Sequence, residues 1–141
     1  MKIIELASVL AGPSVGMFFA ELGADVIKVE NKLTGGDVTR FWKLPTESPD
    51  NSISAYYASV NYKKEILFLD LNSDADKEIL YSELKDTDIV IANYRASSAE
   101  KLGIDYETLK KINPSIIYGN ITGFGEESDR VAFDVVLQAE S

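Results

Sequence analysis

At 141 residues the chain is the size of one domain, and its 45% apolar content is enough to bury a core. A formal charge of −9 argues against non-specific binding to nucleic acid or anionic lipid, which needs a positive surface. With no cysteine and no histidine, the chain has no disulfide framework, thiol nucleophile or cysteine metal site, and it lacks the commonest general base, so acid–base chemistry would fall to carboxylates, lysines or tyrosines.

Lys2–Leu6 is a short apolar run rich in Ile and reads as a strand. Lys2 and Glu5 bracket a run too short for a signal peptide, and no apolar run approaches a membrane span, so cytoplasm is the expected compartment. Ala11-Gly12-Pro13 reads as a tight turn with proline at the first helical position. Ser14–Leu22 follows with helical spacing, and Gly23 stops it. Ala24–Val29 is a second strand ending on Glu30, which completes a βαβ unit. Asn31–Ser52 has no sustained period. Its Arg40, Phe41 and Trp42 form a local cluster, in a loop that is either pinned by its aromatics or covers a ligand. Ile53–Val60 reads as a short helix and Glu65–Leu71 as a strand. Ser73–Leu84 reads as a helix with a Ser73/Asp76 capping box and a buried stripe of Ile79, Leu80 and Leu84. Asp88–Ala92 is a strand closed by Asn93-Tyr94-Arg95. Ser97 and Glu100 suggest a capped turn ending at Gly103. Asp105 caps a helix over Tyr106–Ile112, which Asn113-Pro114 ends. Ser115–Ile121 is a further strand, and Gly123-Phe124-Gly125 turns the chain. The polar stretch Glu126–Arg130 leads to a helical pattern from Ala132 to Ser141, with Asp134 near its N-cap.

The sequence therefore predicts an α/β domain with a Rossmann-like parallel sheet flanked by helices. The last helical pattern has no C-cap, glycine or polar tail, so the expectation is that residues 1–141 form the N-terminal part of a longer protein.

A dinucleotide site wants G-x-G-x-x-G after the first strand and an acid about 20 residues on. Glu30 is suitably placed, but the three glycines are missing, and Pro13 removes an N–H that a pyrophosphate would use. Asn93-Tyr94-Arg95 lies at the carboxyl end of a strand, where an amide, an aromatic face and a guanidinium suit a purine and a phosphate. A solvated loop is the competing reading. Lys63, Lys64 and Lys101 read as solvated surface, Asp134 as an N-cap, and no desolvated or paired carboxylate is apparent.

Several segments taken in order resemble the family III CoA-transferases, a superfamily that includes α-methylacyl-CoA racemase. They are Val9-Leu10-Ala11-Gly12-Pro13, the string from Leu22 to Glu30, Gly36-Asp37 with Arg40, Asn61-Tyr62-Lys63-Lys64, and Leu69-Asp70-Leu71. The series continues through the string from Asp88 to Arg95, Leu102-Gly103-Ile104, Asn113-Pro114, Gly123-Phe124-Gly125 and Phe133-Asp134 with Gln138-Ala139. The resemblance implies the N-terminal, CoA-binding part of a larger fold that forms interlocked homodimers. Its partners would be a CoA thioester and carboxylic acids, without metal, nucleic acid or membrane.

By resemblance, Val9 and Leu10 line the CoA site, Leu69 contacts the adenine, and Asn93, Tyr94 and Arg95 hold nucleotide and pantetheine. Lys101 is a cation for CoA phosphate, and Tyr56 and Phe133 face the acyl end. Asn31 and Asn72 stand where the family often has arginine and lysine for phosphate, and Lys32 is placed to substitute for one of them. Racemase members carry histidine where this chain has Phe133, so the resemblance favours CoA transfer, with an acyl-CoA racemase relative as the alternative. The family's nucleophile is an aspartate beyond the position of Asp134. The expectation is therefore no catalytic residue in this chain and no turnover by it alone. A non-catalytic nucleotide-binding or interaction domain is the remaining alternative.

Overall fold

Five apolar runs become five strands of one sheet: β1 (Lys2–Leu6), β2 (Asp25–Asn31), β3 (Glu65–Leu69), β4 (Ile89–Ala92) and β5 (Ile117–Asn120). The computed structural model describes residues 1–125, 127–128 and 130–140. The strand order is β3-β2-β1-β4-β5, and every neighbouring pair is parallel. Parallel neighbours require crossover connections. Those are carried by α1 (Ala11–Glu21), α2 (Ala55–Asn61), α3 (Asp74–Leu84), α4 (Ala96–Leu102) and α5 (Tyr106–Ile112), and α6 (Asp134–Glu140) follows β5. The chain runs outward from β1 to β3 and then returns to the other side of β1. This reversal puts a topological switch point between β1 and β4, the place where open α/β sheets hold ligands.

Alternation along the central strands assigns the two layers. Ile4, Leu6, Val29, Val90 and Ala92 form one core with Leu80 and Leu84 of α3, Ala99 of α4 and Leu109 of α5. Ile3, Val26 and Ile91 form a second core with Ala20 of α1. Glu5 and Lys28 follow two residues after Ile3 and Val26, and both are fully buried. A lone ion there would cost several kcal/mol in lost solvation. These two lie directly opposite each other in register and pair at 2.9 Å.

The sequence-based boundaries shift where side chains find other partners. Ala11-Gly12-Pro13 is not a turn but the first turn of α1, and the sharp bend lies earlier, at Val9, with φ 69°. Pro13 is tolerated there because first-turn N–H groups have no intrahelical acceptor. Ser73 precedes α3 but makes no side-chain cap bond. Asp76 is drawn away to accept the Asp70 N–H at 2.6 Å and to pair with Lys32. Ile79 is exposed, leaving Leu80 and Leu84 as the buried stripe. β3 stops at Leu69, two residues short of the expected end. α4 is not side-chain capped, whereas Asp105 caps α5 as expected by accepting the Thr108 N–H at 3.0 Å. In the final polar and helical stretches, Glu126, Asp129 and Ser141 lie outside the described residues. No helix among the described residues is long and apolar enough to cross a membrane.

Candidate functional site

Beneath the first βα turn lies a set of buried charges. Lys28 Nζ donates to Glu5 Oε1 at 2.9 Å and to the Ala7 carbonyl at 2.7 Å, and it stands 3.2 Å from Asp37 Oδ2. Lys64 reaches in from the α2–β3 connection and donates to Glu5 Oε2, the Pro13 carbonyl and Asn61 Oδ1. The side chains of Glu5, Lys28 and Lys64 are all 0% exposed. Lys64 is thus not the solvated surface lysine its sequence context suggests. Burial pushes its ammonium below the ordinary lysine range, with Glu5 opposing that shift. α1 passes over this cluster at Gly16, where a Cβ would fall 1.9 Å from Glu5 Oε2.

A second buried set adjoins the first. Glu30 accepts from Arg40 Nε at 2.6 Å, from the Tyr57 hydroxyl at 2.6 Å and from the Asp37 N–H at 2.9 Å. The Arg40 guanidinium lies 4.1 Å from the Tyr57 ring centroid. Arg40 therefore turns inward, away from Phe41 and Trp42, which are exposed. Burial, then the bond to Glu30, raises the Tyr57 phenol far above its ordinary value, so it stays a neutral donor. The loop after β2 is thereby pinned mainly by ion pairs and only secondarily by its aromatics.

Asp37 joins the two sets to the first βα turn. Its Oδ1 accepts from the Thr39 N–H at 3.0 Å and the Thr39 hydroxyl at 2.8 Å, and its Oδ2 accepts the Val9 N–H at 3.0 Å. Burial works against the charge on Asp37. The Thr39 N–H, the Lys28 ammonium and the Thr39 hydroxyl outweigh that and hold its carboxyl below the usual carboxylate range. The sign for stability follows. Unfolded carboxyls protonate near pH 3.9 and folded Asp37 at a lower pH, so acid favours the unfolded chain. The Asp37 contribution is complete above the unfolded value and is lost as pH falls through the folded one. Urea unfolding at a series of pH values should show stability dropping as pH falls below about 4, with a shallower drop for Asp37→Asn. Parallel curves for the two chains would contradict this assignment.

Across the switch point the Asn93 amide bridges β1 and β4. Its Oδ1 accepts the Ser8 N–H at 3.1 Å and its Nδ2 donates to the Ser8 carbonyl at 2.9 Å. Two clefts open at this edge. The larger, about 490 Å³, runs between Ala11 and Asn93-Tyr94-Arg95 on one side and Phe124 and Phe133 on the other. The smaller, about 210 Å³, lies over Ala7, Ser8, Glu30, Asn31 and Asp37. Tyr94 lines both, and burial raises its phenol pKa. A third groove of about 530 Å³ lies away from this edge, between β5 and the α4–α5 region.

The sequence-predicted residues divide accordingly. Asn93, Tyr94, Arg95 and Phe133 line the larger cleft and Asn31 the smaller. Asn31 also accepts the Leu33 N–H at 2.9 Å. Val9 is half-buried on the intervening turn, and Leu10 is exposed beside it. Leu69 is 2% exposed and packed in the core. Asn72 folds back onto Asp70 Oδ1, and Lys101 is exposed in the last turn of α4. Tyr56 stacks edge-on against Trp42 at 5.4 Å and lines neither cleft.

Glu5, Lys28, Asp37 and Lys64 were not legible as a linked set. The available signal was a lone acid within one apolar strand and a lone base within the next. Opposite signs at inward-facing positions of adjacent strands indicate a buried pair.

Comparison with known proteins bears on the family and the fold. The family described as CoA-transferase family III matches residues 1–141. The chain is 42% identical to the succinate–glutarate CoA-transferase of Agrobacterium fabrum, covering 100% of this chain and 36% of that protein. It is 36% identical to the human succinyl-CoA:glutarate CoA-transferase, covering 100% of this chain and 32% of that protein. A crystal structure of a CAIB/BAIF family protein from Brucella suis superposes with a TM-score of 0.89 at 38% identity, covering 99% of this chain and 38% of that one. The chain thus spans about a third of the length of the curated relatives it matches.

Proposed function

The chain belongs to CoA-transferase family III, and on that premise we propose that it is the N-terminal, CoA-holding part of an enzyme that moves CoA between carboxylic acids. The observation that carries this reading is the double cleft at the switch point. Its walls bring Ala7, Ser8 and Ala11, on either side of the Val9–Leu10 turn, together with Asn93, Tyr94 and Arg95. Tyr94 offers an aromatic face to a purine and, kept neutral, repels no phosphate. The bridge from Asn93 to Ser8 fixes the spacing of the two strand ends between which an extended pantetheine chain would lie.

In the transfer itself an aspartate carboxylate attacks the donor thioester carbonyl and expels CoA thiolate, leaving a mixed anhydride. The thiolate then attacks the aspartyl carbonyl and releases the donor carboxylate. The acceptor carboxylate attacks the resulting aspartyl thioester, freeing thiolate again. Thiolate attack on the acceptor's acyl carbon gives the new thioester and regenerates the aspartate. No residue of this chain is assigned as that nucleophile. Its part is to bind and orient CoA, and the assembled enzyme would be a homodimer. Titration calorimetry of the chain with CoA and with NAD tests the reading. Saturable CoA binding with no response to NAD is expected, and binding of NAD alone, or of neither, would overturn it.

A further inference from the structure

We propose, building on the CoA site inferred above, that Asp37 is a positioning residue for CoA: its carboxylate clamps the Val9 amide and so fixes the shape of the CoA-contacting turn between β1 and α1. Val9 has φ 69°, in the left-handed region that a β-branched residue avoids. Such a conformation persists only where its surroundings over-determine it. Here the neighbouring Ser8 is tied on both backbone groups by Asn93. The Val9 N–H is held by Asp37 Oδ2 at 3.0 Å. Loss of the Asp37 bond would free the Val9 N–H and let the Val9 backbone rotate toward an ordinary φ, which would re-aim Val9 and Leu10 relative to both clefts.

The clamp is itself rigid. The Asp37 side chain is 1% exposed. Thr39 donates twice to its Oδ1, Lys28 stands at its Oδ2, and its own N–H donates to Glu30. Asp37 does not touch the reacting atoms. It acts through Val9 and links the loop after β2 to the turn after β1, two segments 28 residues apart.

Hydrogen exchange of the Val9 amide and CoA titration, both on Asp37→Asn, separate the clamp from the ligand reading. With this bond weakened, Val9 exchange should rise about tenfold. The Ser14 amide, bonded to the Leu10 carbonyl at 2.8 Å, should hold its protection. CoA affinity should fall about tenfold for the loss of one such bond. The same substitution in a Val9→Gly chain should lose less affinity, because glycine takes this φ unaided. This comparison cancels the missing Val9 side chain. Unchanged Val9 exchange, or an equal affinity loss in both backgrounds, overturns the clamp. Absence of CoA binding by the unsubstituted chain would overturn the ligand reading instead, while Val9 exchange would still report on the bond. Should Asp37→Asn not fold, Thr39→Val removes only the hydroxyl bond to Oδ1. It should speed Val9 exchange by a smaller factor, and no change there would count equally against the proposal.

Discussion

Lys28→Met should lower the unfolding free energy by about 3–5 kcal/mol, the usual cost of removing one partner from a buried ion pair. Lys28 is fully buried and faces both Glu5 and Asp37. The substitution leaves two buried carboxylates with Lys64 as the ammonium bound to Glu5. The expected fall in thermal midpoint is roughly 10–20 °C for a domain of this size. A double substitution, Lys28→Met with Glu5→Gln, should recover part of the loss by restoring the charge balance, and this non-additivity identifies the pair as the cause. Urea unfolding of the three variants measures both effects. A loss below about 1 kcal/mol for Lys28→Met would place it with exposed pairs and contradict the burial argument.

Gly12→Ala should cost about 1–3 kcal/mol through overpacking, against a gain of about 1 kcal/mol from alanine's better helix propensity. The steric term wins because the obstacle is rigid. A Cβ on Gly12 would lie 2.2 Å from the Ala7 Cβ, an atom with no rotamer to change. Relief requires moving the start of α1 away from the end of β1, which displaces Ala11 on the wall of the larger cleft. CoA affinity should therefore fall together with stability. Gly23 has nothing within 4 Å of an added Cβ, so Gly23→Ala should carry only the strain of its φ of +90° and leave CoA affinity unchanged. Equal effects of the two substitutions on affinity would argue against this account of Gly12.

The sheet was legible in the sequence because its strands are dense in Ile, Val and Leu and are separated by glycine, proline and capping residues. Asp105 behaves as its sequence suggests because its acceptor role is local. What stayed hidden depends on distant partners. Lys64 looks like a surface lysine until α2 delivers it onto Glu5, 59 residues away. Glu30 resembles a ribose ligand by spacing, yet Arg40 and Tyr57 consume its carboxylate. Ser73 and Asp76 have capping-box spacing, but Asp76 finds a stronger partner in Lys32. The bend at Val9 was invisible because a valine gives no sign of positive φ. Its cause, Asp37, is 28 residues downstream. At the ligand edge the residue types of Asn93-Tyr94-Arg95 pointed to the larger cleft, but not to the Asn93 bridge to Ser8 that ties the ends of β1 and β4 together.

Following the CoA titration by backbone amide resonances tests the central claim most directly, because it reports where CoA sits as well as whether it binds. The switch-point site predicts saturable shifts at Val9, Leu10, Tyr94 and Arg95, which flank the two clefts. It predicts none at Tyr106 or Ile117, which line the groove along β5. Shifts confined to that β5 groove would contradict it.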